Sequence, residues 1–206
     1  MKQKIGLFIG RFQPFHLGHI DALKQARKDG ITEFLIGVGS SNKEHTAENP
    51  FSYEERKVMI TKILNAIGVK FTIYPLPDVE SDEDRKNYII KNLPRFDAVI
   101  SGNPRTTSIF KKVKYPMCNI KITKDIKSTT IRHMLHVGDI ERLKTLVPGQ
   151  VITYLQSIKA DKRLAKYYRD EHIGPSLAVD GILMTKDKRI VIIQRKNPPL
   201  GYALPG

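Results

Sequence analysis

The chain has 206 residues, 40% of them apolar, enough for one ordinary domain with a buried core plus a smaller element. One cysteine, Cys118, excludes an internal disulfide, the N-terminal apolar run breaks at Arg11, too soon for a signal peptide, and no run of about 18 apolar residues occurs, so a cytoplasmic protein without a membrane partner is expected. The net charge of +14 favours polyanionic ligands, but it is spread along the chain, and no zinc-finger, RNP or helix-turn-helix pattern points to nucleic acid.

Residues 4–9 (KIGLFI) form an apolar run of strand length, and Ile20, Leu23 and Ala26 then recur at helical spacing. Between them IGRFQPFHLGHI makes a strand-to-helix crossover, where unpaired N–H groups and the positive end of a helix dipole can hold a phosphate. Gly10 lets a ligand approach the main chain, Pro14 stiffens the turn, and Gly18 lets a group pack against the helix start. His16 and His19 stand three apart, so a helix starting near Leu17 places both on one side of its first turn. With a single cysteine in the chain they lack the partners of a zinc site, and no metal ligands are expected.

Residues 33–38 (EFLIGV) read as a buried strand whose carboxyl end opens through Gly37, Gly39 and Ser40 into a polar loop. The strand, helix, strand order implies a right-handed parallel crossover. Ser52 and Glu55 make a capping box for a helix over 53–67, with Arg56 one turn inside it. A third strand covers 71–74, and the loop after it carries five acidic residues between Asp78 and Asp84, read as a solvated face ahead of a helix over 84–92. Residues 96–101 make the fourth strand, and Gly102-Asn103-Pro104 turns into a helix through 110. A fifth strand over 116–122 is weaker, because Pro116 and Cys118 are an unusual start. In IKSTTIRHML, residues 126–135, Ser128 or Thr129 caps a helix and Arg132 lies one turn along on the same side, a grouping suited to an anion. Helices over 140–146 and 148–158 close the domain, and a charged helix over 160–174 runs into a linker. Two β-branched runs, 177–184 and 189–195, read as a hairpin about a Lys-Asp-Lys turn. Ligands of an open α/β sheet sit beyond the strands' carboxyl ends, so the loops after the first, second and fourth strands should surround one crevice.

The pattern Gly-Arg-Phe-x-Pro-x-His-x-Gly-His after the first strand resembles the signature of the nucleotidyltransferase superfamily. GRFQPFHLGH in full is similar to the nicotinamide mononucleotide (NMN) adenylyltransferases of the archaeal type, and ENPFSYEER and SGNP extend the likeness. IKSTTIR resembles the second signature, Ile-Ser-x-Thr-x-Ile-Arg, with Lys127 where serine is usual. The resemblance implies a Rossmann-like α/β domain with a parallel five-stranded sheet over residues 1–170. It implies transfer of AMP from ATP to NMN, giving NAD and pyrophosphate, with Mg²⁺ carried mainly by the ATP, and a homo-oligomer. His16 and His19 would hold the α- and β-phosphates, and Arg11 and Arg132 would complete the charge-stabilising set. Gly10, Phe12, Gln13, Asn49, Arg56, Gly102, Asn103, Lys127, Ser128 and Thr129 would bind the substrates. Arg85 stands where archaeal-type relatives usually place a tryptophan taken to stack on the nicotinamide ring, and Tyr88 nearby or Arg85 itself could cover a ring instead. Residues 171–206 resemble a linker and the N-terminal part of a Nudix domain of the ADP-ribose pyrophosphatase kind without its Nudix box, so ADP-ribose hydrolysis is not expected of these 206 residues. Two other readings stay open: an adenylyltransferase of the same fold with pantetheine phosphate or flavin mononucleotide as acceptor, and a non-catalytic protein that binds nucleotides or nucleic acid.

Overall fold

The structure, a computed structural model, describes residues 3–112, 115–118, 120–121, 126–168, 187, 193–195 and 201–203. The chain divides into two compact units, Met1–Arg169 and Asp170–Gly206. The first is built on a parallel sheet of β1 (Ile5–Gly10), β2 (Glu33–Gly39), β3 (Lys70–Leu76) and β4 (Ala98–Ile100), in the order β3-β2-β1-β4. Its helices are α1 (Leu17–Lys28), α2 (Tyr53–Ala66), α3 (Asp82–Asn92), α4 (Pro104–Lys112), α5 (Ser128–Val137), α6 (Ile140–Lys144), α7 (Gly149–Ser157) and α8 (Ala160–Ala165).

The central strands are apolar on both faces because helices cover both, and the strand period of two divides their side chains between two cores. Phe8, Phe34 and Ile36 share one core with Leu23 of α1, Met59 of α2, Ile131 of α5 and Leu155 of α7. Leu7, Ile9 and Leu35 point the other way, into a core with Ile89 of α3 and Phe110 of α4. The capping box at α2 is present in full: Ser52 Oγ accepts from the Glu55 N–H at 3.2 Å, and Glu55 Oε2 accepts from the Ser52 N–H at 2.9 Å.

The expected fifth strand over 116–122 is corrected to a single parallel bridge, Val99 to Met117, among the described residues. Val99 donates to the Pro116 carbonyl at 2.8 Å and Cys118 to the Val99 carbonyl at 2.9 Å, after which the Ile120 N–H turns back onto the Cys118 carbonyl at 3.0 Å. Proline supplies no donor at the start and the tight turn consumes the next one, so the ladder stops. The charged helix expected from residue 160 is described as α8, ending at Ala165, with residues 169–174 outside the described residues. In the second unit β5 (Ile193–Arg195) pairs antiparallel with β6 (Gly201–Ala203). The strand expected at 177–184 lies outside the described residues, and the described partner of β5 is downstream.

From β1 the chain moves outward to β2 and β3 on one side and returns to β4 on the other. The strand order therefore reverses between β1 and β4, and the loops leaving their carboxyl ends diverge and open a crevice.

Candidate active site

A cavity of about 840 Å³ occupies that crevice. Its walls are residues 8–12 of β1 and the following turn, the first two turns of α1, Gly102-Asn103-Pro104 after β4, Ile120 and Lys121, and Ile126 to Ser128 at the start of α5. Four cationic side chains, Arg11, Lys24, Lys121 and Lys127, line it against one carboxylate, Asp21, so the cavity favours a polyanion.

The two histidines of the first motif form one unit. Their rings stack with centroids 3.6 Å apart and planes at 26°. The His16 N–H donates to His19 Nδ1 at 3.1 Å, which leaves the proton of the neutral His19 ring on Nε2, as a donor. His16 Nδ1 is buried without a partner. Burial pushes the His16 imidazole down to about 4, and burial followed by the neighbouring His16 charge pushes His19 well below its ordinary 6.5. Near neutral pH the free chain therefore holds two uncharged rings. Phe12 and Phe15 fix the His19 ring, with centroids 4.9 and 5.0 Å away.

The glycines of this motif make room for its own side chains. A Cβ on Gly18 would lie 3.2 Å from Cε1 and Nδ1 of His16, so the group expected to pack at the helix start is the His16 ring. A Cβ on Gly10 would lie 2.8 Å from the Phe12 ring, so the close approach there is made by Phe12. Phe12 itself has φ of 53°, a left-handed conformation that costs a non-glycine residue about 1 kcal/mol or more.

Buried polar side chains hold this strained turn from beneath. Gln13 is 2% exposed, and its amide makes a two-way bond with Phe51: Nε2 donates to the Phe51 carbonyl and Oε1 accepts from the Phe51 N–H, both at 3.0 Å. Arg132 donates from Nη1 to the Gln13 carbonyl at 3.1 Å and leaves a buried, unpartnered Nε. Arg56 is fully buried and donates to four carbonyls, those of Ser52, Arg11, Gly39 and Ser40, at 3.1, 3.0, 2.7 and 3.1 Å. Burial and then Arg11 push its guanidinium down to about 10, so it stays charged at neutral pH. It ties the ends of β1 and β2 to the start of α2, a use of arginine that the helix pattern gave no sign of.

Of the expected site residues, Gly10, Arg11, Phe12, His16, His19, Gly102, Asn103, Lys127 and Ser128 line one cavity. Gln13, Asn49, Arg56, Thr129 and Arg132 are not on its wall. The Arg132 head is 7% exposed and turned under the Gln13 carbonyl. Asn49 is buried, with an unpartnered Oδ1. Asn103 spends its Oδ1 as a cap, accepting from the Arg105 and Thr106 N–H groups of α4 at 2.9 and 3.3 Å. The cap expected from Ser128 or Thr129 is also corrected, because the extended backbone of Lys127 places it at the N-cap and Ser128 is already helical. No side chain caps α5, which leaves its first turn suited to an anion.

The acidic loop read as solvated contributes one structural carboxylate. Asp78 accepts from Ser40 Oγ at 3.0 Å, pairs with Lys43 at 3.1 Å, and receives Arg85 Nη2 at 3.3 Å. Burial raises its pKa, but the bonds from Lys43 and Ser40 outweigh that and hold it below the usual carboxylate range. Ser40 and Lys43 come from a loop more than 30 residues upstream, too distant for any local pattern to reveal.

The cytidylyltransferase-like family matches residues 7–134, the span that carries both motifs and the cavity. The chain belongs to this family. Within it, the chain is similar to the nicotinamide-nucleotide adenylyltransferase of Thermococcus onnurineus, 36% identical over 165 residues that cover 78% of this chain and 87% of that one. The enzyme of the same name from Saccharolobus solfataricus is 36% identical over 167 residues, covering 77% of this chain and 94% of that one. Among solved structures of the fold, a bifunctional NMN adenylyltransferase/ADP ribose pyrophosphatase from Francisella tularensis superposes with a TM-score of 0.63 at 24% identity, covering 99% of this chain and 68% of that one. The family's parallel α/β fold is thus shared, here with a four-stranded sheet among the described residues.

Proposed function

We propose that the chain transfers AMP from ATP to NMN, producing NAD and pyrophosphate. Supporting this reading is the similarity to nicotinamide-nucleotide adenylyltransferases over more than three quarters of the chain. The observation that carries the chemistry is the stacked His16–His19 pair set in a cation-lined cavity at the β1/β4 crevice.

A phosphate oxygen of NMN attacks the α-phosphorus of ATP in line. The bond from that phosphorus to the β-phosphate bridging oxygen breaks, and pyrophosphate leaves with the electron pair. The protein forms no covalent bond; it positions the reactants and stabilises charge that grows on the phosphate oxygens. His19 Nε2–H, the His16 ring, the exposed Arg11 and Lys127 are the groups on the cavity wall that fit this role. Gly10, Phe12, Gly102, Asn103 and Ser128 shape the wall, and Arg132 and Arg56 add fixed positive charge behind the turn that carries Arg11. In this reading magnesium enters with the nucleotide, as MgATP. A Francisella structure of this fold is described as complexed with AMP and a manganese ion.

Residues 1–170 form the transferase domain in this reading, and residues 171–206 are the beginning of a Nudix-like domain, a view supported by the Francisella match, which runs over 99% of this chain. Assembly into a homo-oligomer belongs to the same reading and is tested by light scattering. The acceptor is tested by incubating the chain with MgATP and NMN, pantetheine phosphate or flavin mononucleotide in turn. NAD should be the product that forms; a different adenylylated product would replace the acceptor assignment.

A further inference from the structure

Gln25 stands on α1, two turns beyond the histidine pair, and no motif includes it. Its side chain nonetheless makes three hydrogen bonds. Nε2 donates to the Lys121 carbonyl at 2.9 Å and to Asp21 Oδ2 at 3.0 Å, and Oε1 accepts from the Lys121 N–H at 2.8 Å. The amide thus engages both main-chain groups of one residue 96 positions away, the arrangement that Gln13 makes with Phe51. The bond to Asp21, one turn back on the same helix face, sets the amide orientation so that donor and acceptor both find their partners.

Lys121 belongs to the cavity wall, with Ile120 and Ile126. That wall runs alongside α1: a Cβ on Gly18 would lie 3.8 Å from Ile126 Cβ, and Gln25, about 10 Å further along the helix axis, grips Lys121. His16, His19 and Lys127 gather at the Gly18 end; toward Gln25 the wall carries Lys24 and Lys121 beside Asp21, and Ile20, Ala22, Ile120 and Ile126 provide apolar surface between α1 and the wall. Phosphates belong at the first end and a purine ring at the second, since a base needs flat apolar contact plus main-chain groups in fixed register. Among the described residues strand pairing ends at the Met117 bridge, so the sheet does not set the register of Lys121.

We propose that Gln25 is a positioning residue for the base of ATP, setting the main chain of Lys121 at the distance from α1 that admits adenine. This rests on the reading of the cavity as the ATP site. Gln25 touches no reacting atom, so its loss acts on nucleotide binding and base selection rather than on the chemical step.

The test is steady-state kinetics of NAD formation with Gln25→Met, which keeps the side chain's length and removes the strong donor and acceptor, and with Gln25→Glu, which keeps only the acceptor. Lys127→Ala, at the phosphate end, is the control for the cavity. For Gln25→Met the KM for ATP should rise about tenfold with kcat held, and the preference for ATP over GTP should fall; Gln25→Glu should lie between. A merely structural role would lower the melting temperature and leave both the KM and the ATP-to-GTP ratio as in the parent. Unchanged KM and selectivity in both Gln25 variants, with a raised KM in Lys127→Ala, would overturn the clamp alone. Unchanged KM in all three would overturn the cavity as the ATP site and the clamp with it.

Discussion

Acidification should destabilise this protein through its histidine pair. His16 titrates near 6.5 when unfolded and about 4 when folded, so above both values the ring is neutral in either state and contributes nothing. As the pH falls below 6.5 the unfolded chain takes up a proton that the folded chain refuses, and stability is lost until the folded ring also titrates near 4. At 1.36 kcal/mol per decade, the loss from His16 between about pH 7.5 and about pH 4.5 comes to ~2.5 kcal/mol. His19 adds to it in the same direction, because its pKa is lowered too. Asp78 and Glu55 have carboxyls held below their ordinary 3.8 and 4.5, so their contributions persist through this window and vanish only at lower pH. Urea unfolding of the whole chain at half-unit pH steps, beside His16→Gln, measures the effect. The parent should lose stability steeply below about pH 6.5 and the variant distinctly less. Parallel curves for the two proteins would refute the depressed pKa and, with it, the neutral pair in the free chain. An inert ATP analogue should flatten the parent's curve as well, since a bound polyanion favours the protonated rings.

Arg56→Met removes the side-chain donor from all four carbonyls, and although those of Ser52 and Ser40 keep the main-chain N–H groups of residues 56 and 43, the change should cost ~3 kcal/mol or more in denaturant unfolding; a loss below about 1 kcal/mol would mean that water replaces the guanidinium. Gly18→Ala sets a methyl 3.2 Å from the His16 ring, so kcat should fall about tenfold with the melting temperature nearly constant, and parent-like turnover would show that the ring's place is not critical. Arg163 of α8 donates to the Pro50 carbonyl at 3.2 Å and to Glu55 at 2.7 Å, so Arg163→Ala should destabilise by ~1–3 kcal/mol, whereas removing residues 171–206 should leave NAD synthesis intact. Loss of that synthesis in the truncated chain would show the tail to be part of the catalytic fold.

The elements that local pattern reveals were legible in the sequence. The apolar runs of β1 and β2, the Ser52–Glu55 box and the three-residue histidine spacing each depend on neighbours a few positions apart, and each formed as the pattern implied. The arginines were not legible in the same way. Arg56 was read as a substrate-binding residue of α2 and Arg132 as part of a grouping suited to an anion, yet each is buried and donates to a main-chain carbonyl far off in sequence. Gln25 and Asp78 gave no signal of these roles, because the partners that define them, Lys121 and Ser40, lie 96 and 38 residues away. The fifth strand was overcounted for a different reason: apolar content along 116–122 suggested pairing, but with the donor missing at Pro116 and the turn at Ile120 the described residues make one bridge.

The most direct test of the central claim follows the α-phosphorus. MgATP labelled at that atom is incubated with the chain, with and without NMN, and the products are separated. The account predicts label in NAD, an equal amount of unlabelled pyrophosphate, and neither product when NMN is left out. Label remaining in ATP, or released as AMP independently of NMN, would contradict it.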